Sequence, residues 1–519
     1  MRKFILFFSF LISVFCLLFS VLCPLANANN LSVTTASLGA QDTTAKTLVI
    51  QFDISWENSW RSLTAAPYNY DAAWVFIKYS LDGTTWNHAL LKTSGTNPSG
   101  FARGSGTVAD IVVPADKVGA FLQRSADGSG TLSTTGVQFV WDYGTPGVTD
   151  VQAELATIRV MALEMVYIPT GNFYAGDDGN RTGGSNSHFF DAGDGADPRD
   201  HVEITSTRPY ISNIDNGTGT AGDITWVNES TYAGNLPASR TQIGASYPSG
   251  YNAFYVMKYE CSQKQYADFL NTLTSTQAST RYPNANGNSR HTISGTYPNY
   301  SASRPARACN VLSWPDLCAY ADWAGLRPMT ELEFEKAARG AAGAVNGEYA
   351  WGNTTITAAA TISGTEDGTE TITTANANCN YNNSTFTGGD AGQGPLRVGI
   401  FATGSSTRQT SGAGFYGVME LSGSLWEPLV SVMDSQAGTT VSTFTGVQGD
   451  GSLSANGNAD TANWPGLSGG EVTGASGSGF RGGNWVNSAT LARVSGRSYA
   501  AYTNASRSNN YGVRCARTA

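Results

Sequence analysis

Few side chains in this 519-residue chain can do redox or metal chemistry. Seven cysteines occur; Cys16 and Cys23 lie in an apolar first segment, and the others are Cys261, Cys309, Cys318, Cys379 and Cys515. No two have CxxC spacing. The histidines, His88, His188, His201 and His291, form neither HxxxH nor another close ligand pattern, so a zinc site of familiar spacing is not expected. Glu427, Arg481, Arg493 and Arg497 are candidates for a charged cleft, but no nucleophile–base pair can be singled out among them. The series Asp191, Asp194, Asp197, Asp200 lacks EF-hand spacing and reads first as a solvated acidic loop. The richest segment lies near the C-terminus. Between Trp485 and Tyr511 come Asn487, Arg493, Arg497, Tyr499, Tyr502, Asn504, Arg507 and Asn509, interleaved with Ser and Thr. Tyrosine offers rigid contact area, Asn and Ser offer adaptable hydrogen bonds, and Arg can clamp a carboxylate. This is a binding composition, for a protein ligand ahead of a carbohydrate.

The elements that must carry these residues fall in two parts. Residues 1–28 read as a secretory signal: Arg2 and Lys3, an apolar run, then Ala26-Asn27-Ala28. The expectation is a secreted or cell-surface protein without integral membrane association once the signal is cleaved. Losing Arg2 and Lys3 moves the formal charge from −9 to −11. Such an acidic surface does not attract nucleic acid. Residues 29–150 hold short apolar runs between turns: Leu48–Ile54, Ala72–Tyr79, Ile111–Val113, Val118–Leu122 and Val137–Trp141. No helical period runs through them, and a β-sandwich-like domain is predicted. Trp56, Trp60 and Trp86 are candidates for stacking a sugar, but core or interface positions suit them better.

Residues 151–519 read as a second, α+β domain. A strand-like stretch covers Glu154–Tyr167, and 176–245 reads as loops. Ser262 with Gln265 forms a capping box for a helix carrying Tyr266, Phe269 and Leu270. Ser313 caps a helix with Leu317, Cys318, Tyr320 and Ala321, ended by Gly325. Thr330 with Glu333 starts a third. The Gly/Thr/Asn-rich stretches 341–412 and 431–475 read as exposed loops, compatible with a structural cell-surface or matrix subunit as an alternative.

The same residues carry a resemblance. Met165–Phe173, Lys258-Tyr259-Glu260, the run Arg304–Gly340, Tyr349–Asn353, Tyr416–Glu427, Phe480–Trp485 and Asn510–Cys515 appear in order. Together this stretch resembles the formylglycine-generating enzyme (sulfatase-modifying factor) family. The resemblance implies the irregular C-type lectin variant fold. It also implies a copper-dependent oxidation by two cysteines after the Gly-Gly turn. Here Asn487 and approximately Ala492 stand at those positions, so copper is not expected: soft thiolates are what hold Cu(I). An enzyme of the family using other chemistry remains an alternative. By the same resemblance Cys515 would bridge Cys318, and a structural calcium would use Asn378 and Ser424. The stretch from Arg481-Gly482-Gly483-Asn484-Trp485 to Tyr511-Gly512-Val513-Arg514 is also similar to the variable proteins of diversity-generating retroelements, in which such a segment binds ligand. The implied ligand face is Trp485, Asn487, Arg493, Arg497, Tyr499, Tyr502, Asn504, Arg507 and Asn509.

Overall fold

The computed structural model describes residues 30–177, 188–193, 200–214, 219–227, 230–383, 385–434 and 440–519. The expected signal, 1–28, and Asp194 and Asp197 of the acidic series lie outside the described residues. No helix among them is long and apolar enough to cross a membrane.

The first half is built from β1 (Ser32–Asp42), β2 (Thr47–Ser62), β3 (Asn69–Ser80), β4 (Ala109–Val113), β5 (Ala120–Arg124) and β6 (Gly128–Asp142). β2 pairs with β1 and β6; β3 pairs with β5, which pairs with β4. The two layers bury Ile50, Phe52, Trp56, Val75, Ile77, Phe139 and Trp141 between them. Alternation along β2 drives this, because every second side chain from Leu48 to Trp56 points inward. Phe52 and Phe139 meet edge to face at 5.1 Å. The first half is thus all-β, as expected, and its strands belong to one sheet that continues from β2 into β3.

β3 is buried along its whole length, and the reason is topological. Ala73, Val75 and Ile77 face the core of the first half. Tyr70, Ala72, Trp74 and Phe76 face the core of the second half. A single turn, α1 (Asp150–Glu154), capped by Thr149 and Gln152, then leads into β7 (Thr157–Ile168). β7 pairs with β3 over residues 157–166, and its last four residues pair with β8 (Phe254–Met257). The division expected at 150 falls in this connection, yet the sheet continues across it.

The second half adds the helices α2 (Gln263–Leu270), α3 (Ser275–Arg281), α4 (Trp314–Trp323) and α5 (Glu331–Arg339). Its further strands include β9 (Arg327–Pro328), β10 (Glu427–Val430), β11 (Ser478–Arg481) and β12 (Cys515–Thr518), and short strands such as Phe189–Asp191, Val202–Ile204 and Ile224–Trp226 interrupt the expected loop stretch 176–245. β12 lies between β8 and β9 and so extends the shared sheet; β10 pairs with β11. The structure is mostly β, in several sheets, with few helices. The two expected capping boxes are present at Ser262/Gln265 and Thr330/Glu333, and Ser313, expected as a simple cap, forms a third with Asp316. Each satisfies two N–H groups that a helix start leaves open, a gain of about 1 kcal/mol. α3 was not anticipated: Ser275–Arg281 has no apolar period, and its start depends on a further box at Thr274/Gln277. Gly325 closes α4 with φ +67°, and a Cβ there would meet Val118 Cγ1 at 2.4 Å. Trp74 Nε1 donates to Ala324 O (2.8 Å), and Lys78 Nζ donates to Trp323 O (2.7 Å) and Gly451 O (2.5 Å). The two halves therefore share a core as well as a sheet. The stretch 431–475 departs from the expected exposed loop, since Phe444, Ala459 and Trp464 pack into that core.

Candidate functional site

The turn after β11 sets the site. Gly482 and Gly483 have φ +88° and +71°, and a Cβ on Gly483 would lie 2.9–3.0 Å from backbone atoms of Leu491 and Ala492. Only glycine lets the chain fold back this tightly. Asn484 then fixes the loop: its Oδ1 accepts from Val486 N (2.9 Å) and Asn487 N (3.2 Å), and its Nδ2 donates to Asn487 Oδ1 (2.5 Å). Asn487 is half-buried and Ala492 is buried, so the two positions that the resemblance assigns to thiols carry an amide and a methyl group.

The thiols lie elsewhere. Cys261, Cys309, Cys318, Cys379 and Cys515 are buried and unbridged. The expected Cys318–Cys515 bridge is therefore replaced by two separate thiols. Burial pushes every one of these thiols well up, with neighbouring acidic or thiol groups adding to it. They are held protonated, the wrong state for a nucleophile or a soft metal ligand.

The expected ligand face divides. Arg497 is fully buried, donates to Glu331 Oε2 (2.8 Å) and lies over the rings of Phe189 (4.0 Å) and Trp226 (4.6 Å). Arg481 joins the same buried network through Glu331 (3.0 Å) and Glu335. Glu427 is buried against Arg514 (2.7 Å). Three of the four members of the expected charged cleft, Glu427, Arg481 and Arg497, are thus internal scaffolding and ion-paired, because an unpaired buried charge would cost several kcal/mol, on the order of 3–5. Trp485 is 4% exposed and packs on Ala308, Val398 and Leu425, so it is a core residue. Arg507 is committed to Asp316, Thr280 O and Tyr282 O. Asn509 donates to Ser289 Oγ (2.8 Å), and its carbonyl accepts from Asn310 Nδ2 (2.9 Å). Arg493 is half-buried beside Tyr349.

What remains accessible is an aromatic group. Tyr499 and Tyr502 are half-buried and pack on Trp426, Phe480 and Tyr511. Tyr232 stacks on Tyr499 at 5.5 Å and meets Tyr502 at 4.4 Å. Trp426 meets Tyr499 at 5.2 Å, and Phe480 meets Tyr511 at 4.4 Å. Asn504 Nδ2 donates to the hydroxyls of Tyr502 (3.3 Å) and Tyr511 (3.4 Å). Phe480 N to Tyr499 O (2.9 Å) and Trp426 N to Asn510 O (2.9 Å) fix the backbone beneath. Tyr232, Trp426 and Phe480 were missed from sequence. Tyr232 sits in a Gly/Asn-rich stretch that gave no periodic signal.

The calcium implied at Asn378 and Ser424 meets a different donor set. Asn378 Oδ1 accepts from Thr357 N (2.9 Å), and Ser424 Oγ donates to Glu260 Oε2 (2.8 Å). Both residues line one small cavity. The oxygens on its walls that lack a partner are Asn380 Oδ1 and Glu420 Oε2, both buried. Oxygen donors suit a hard divalent cation, and Asn380 Oδ1 and Glu420 Oε2 are the two side-chain oxygens that this wall leaves without a partner; Arg397 lines the same cavity.

Residues 221–519 match the sulfatase-modifying factor enzyme 1-like domain family, more than half of the chain, and the protein belongs to that family. The formylglycine-generating enzyme of Thermomonospora curvata is 33% identical over 128 residues, which cover 24% of this chain and 33% of that relative. The match thus spans about a third of the relative's length.

Proposed function

We propose that this protein is a non-catalytic binding protein of the secreted or cell-surface space. In this reading the second half has the C-type lectin variant fold and takes its ligand on the Tyr232–Tyr499–Tyr502–Asn504 face. The observation that carries this is the pairing of an oxidase-like turn without thiols, at Asn487 and Ala492, with a half-exposed aromatic group a few residues on. Tyrosine with Asn favours a protein ligand, since it gives rigid area with few rotors to freeze. Similarity of the 481–514 segment to retroelement-diversified proteins supports the same face.

The test is a binding screen of the full chain on arrays of exported proteins and of glycans, repeated with Tyr499→Ser/Tyr502→Ser. Loss of about tenfold or more in affinity for the best protein hit, with unchanged circular dichroism, is expected. Equal binding by the double variant would remove this face from the function.

A structural calcium held by Asn380 and Glu420 belongs to the same proposal, as a stabiliser of the scaffold beneath Ser424. Millimolar calcium should raise the melting temperature and a chelator should reverse it, by mass action on the folded state. Glu420→Gln should abolish the rise.

A further inference from the structure

A cavity of about 220 Å³ opens where β7 and β8 part company. β8 pairs with β7 only from Met165 to Ile168, and Lys258 N still donates to Glu164 O (2.9 Å). Beyond that bond the chain turns away through Tyr259 and Glu260 into α2. β3 covers the other edge of β7 without interruption. In an antiparallel ladder a residue sends N–H and C=O to the same side, and the side alternates. Glu164 faces β8, so Ala162 and Val160 face the same way, into the cavity. Neither has a backbone partner on that side among the described residues.

The walls fit this edge. They are mixed: Leu31 and Val33 of the β1 side, Phe76, Met257 and Val398 are apolar, while Glu164, Glu260, Ser262, Lys264, Gln265 and Asp268 are polar. Tyr320 lines the cavity; its hydroxyl is buried and has no hydrogen-bond partner apart from the nearby Cys261 thiol. The charged groups around the cavity already have partners: Lys264 Nζ pairs with Asp268 (2.5 Å) and Lys258 Nζ with Glu164 (3.4 Å), while Glu260 accepts from Ser424 Oγ and Leu425 N. An occupant therefore needs amide groups for the edge and small side chains, and the wall charges, already partnered, ask for none of its own.

We propose that this wedge is a peptide-binding groove. An uncharged, extended segment of a partner chain adds as a short strand to the open edge of β7 at Val160 and Ala162, and one of its polar groups reaches Tyr320 Oη. Main-chain hydrogen bonds supply affinity in this mode, and the small size of the wedge and its mixed walls supply selection. This site is distinct from the aromatic face at Tyr499 and Tyr502.

The test uses the full chain and a pool of blocked tetrapeptides composed of Val, Ala, Thr and Ser, read by calorimetry and by hydrogen–deuterium exchange over β7. The pool should bind and slow exchange in residues 157–168. Ala162→Pro removes only the N–H that faces the groove, because the bonds to β3 come from its neighbours. It should weaken binding about tenfold, the worth of one good hydrogen bond plus its geometry. Tyr320→Phe keeps the ring and should weaken binding several-fold; it decides the matter if the proline variant does not fold. Tyr499→Ser/Tyr502→Ser should bind the pool unchanged, which separates this result from the fate of the aromatic face. No binding by the pool, or equal binding by the folded variants, would overturn the proposal.

Discussion

Arg507 holds Asp316 at two points, Nε to Oδ2 at 2.7 Å and Nη2 to Oδ1 at 2.8 Å. Asp316 is at the same time the capping-box residue of α4, and Arg281 Nη1 stands 3.0 Å from the same carboxylate. The segment expected to bind ligand therefore also ties the helix start to the C-terminal turn. Arg507→Ala should destabilise the fold by about 2 kcal/mol. This is less than the loss of a fully buried pair, because Arg507 is 29% exposed and Arg281 remains. Chemical denaturation checks it; a stability change below about 0.5 kcal/mol would contradict the structural role.

Asp322 gives a pH prediction. Its carboxylate accepts from Asp450 N (3.1 Å) and Asp460 N (3.2 Å). Burial, with the Asp450 charge adding to it, raises its pKa to about 7. Between the ordinary carboxylate value and about 7 the folded state keeps a proton that the unfolded state has lost. Stability should therefore fall as pH rises from about 4 to about 7, and Asp322→Asn should flatten that slope. Melting temperatures across this range test it. A wild-type slope retained in the variant would assign the effect to another group.

The thiols predict a labelling pattern. Cys318 and Cys515 are buried and held protonated, so iodoacetamide should leave both unmodified in the native chain and label both after denaturation without reductant. A Cys318–Cys515 linked peptide in a non-reducing digest would show that the two sulfurs do bridge.

Oxidase activity is the sharpest functional check. The chain loaded with copper under air should leave a cysteine-containing sulfatase peptide unconverted, because neither Asn487 nor Ala492 can supply a thiolate. Mass spectrometry would detect conversion; stoichiometric formylglycine would place this protein among the active oxidases.

Short-range patterns were legible in the sequence because their physics is local. The alternation Leu48–Ile50–Phe52–Ile54–Trp56, the pairs Ser262/Gln265 and Thr330/Glu333, and the stop at Gly325 each need only a few neighbouring residues. The order of motifs from Met165 to Cys515 likewise identified the family, and the absence of thiols at Asn487 and Ala492 is a fact of the chain alone. Tertiary structure decided which polar side chains are spent on the fold. Arg497, Arg507 and Trp485 look in sequence like Tyr499 and Tyr502, members of one polar–aromatic segment. What separates them is whether Glu331, Asp316 or Leu425, far away along the chain, is waiting beside them. The same holds for β7, whose residues predict a strand but not that β3 would cover one edge while β8 leaves half of the other open. Burial and pairing belong to contacts between distant segments, and those are settled only when the chain has closed on itself.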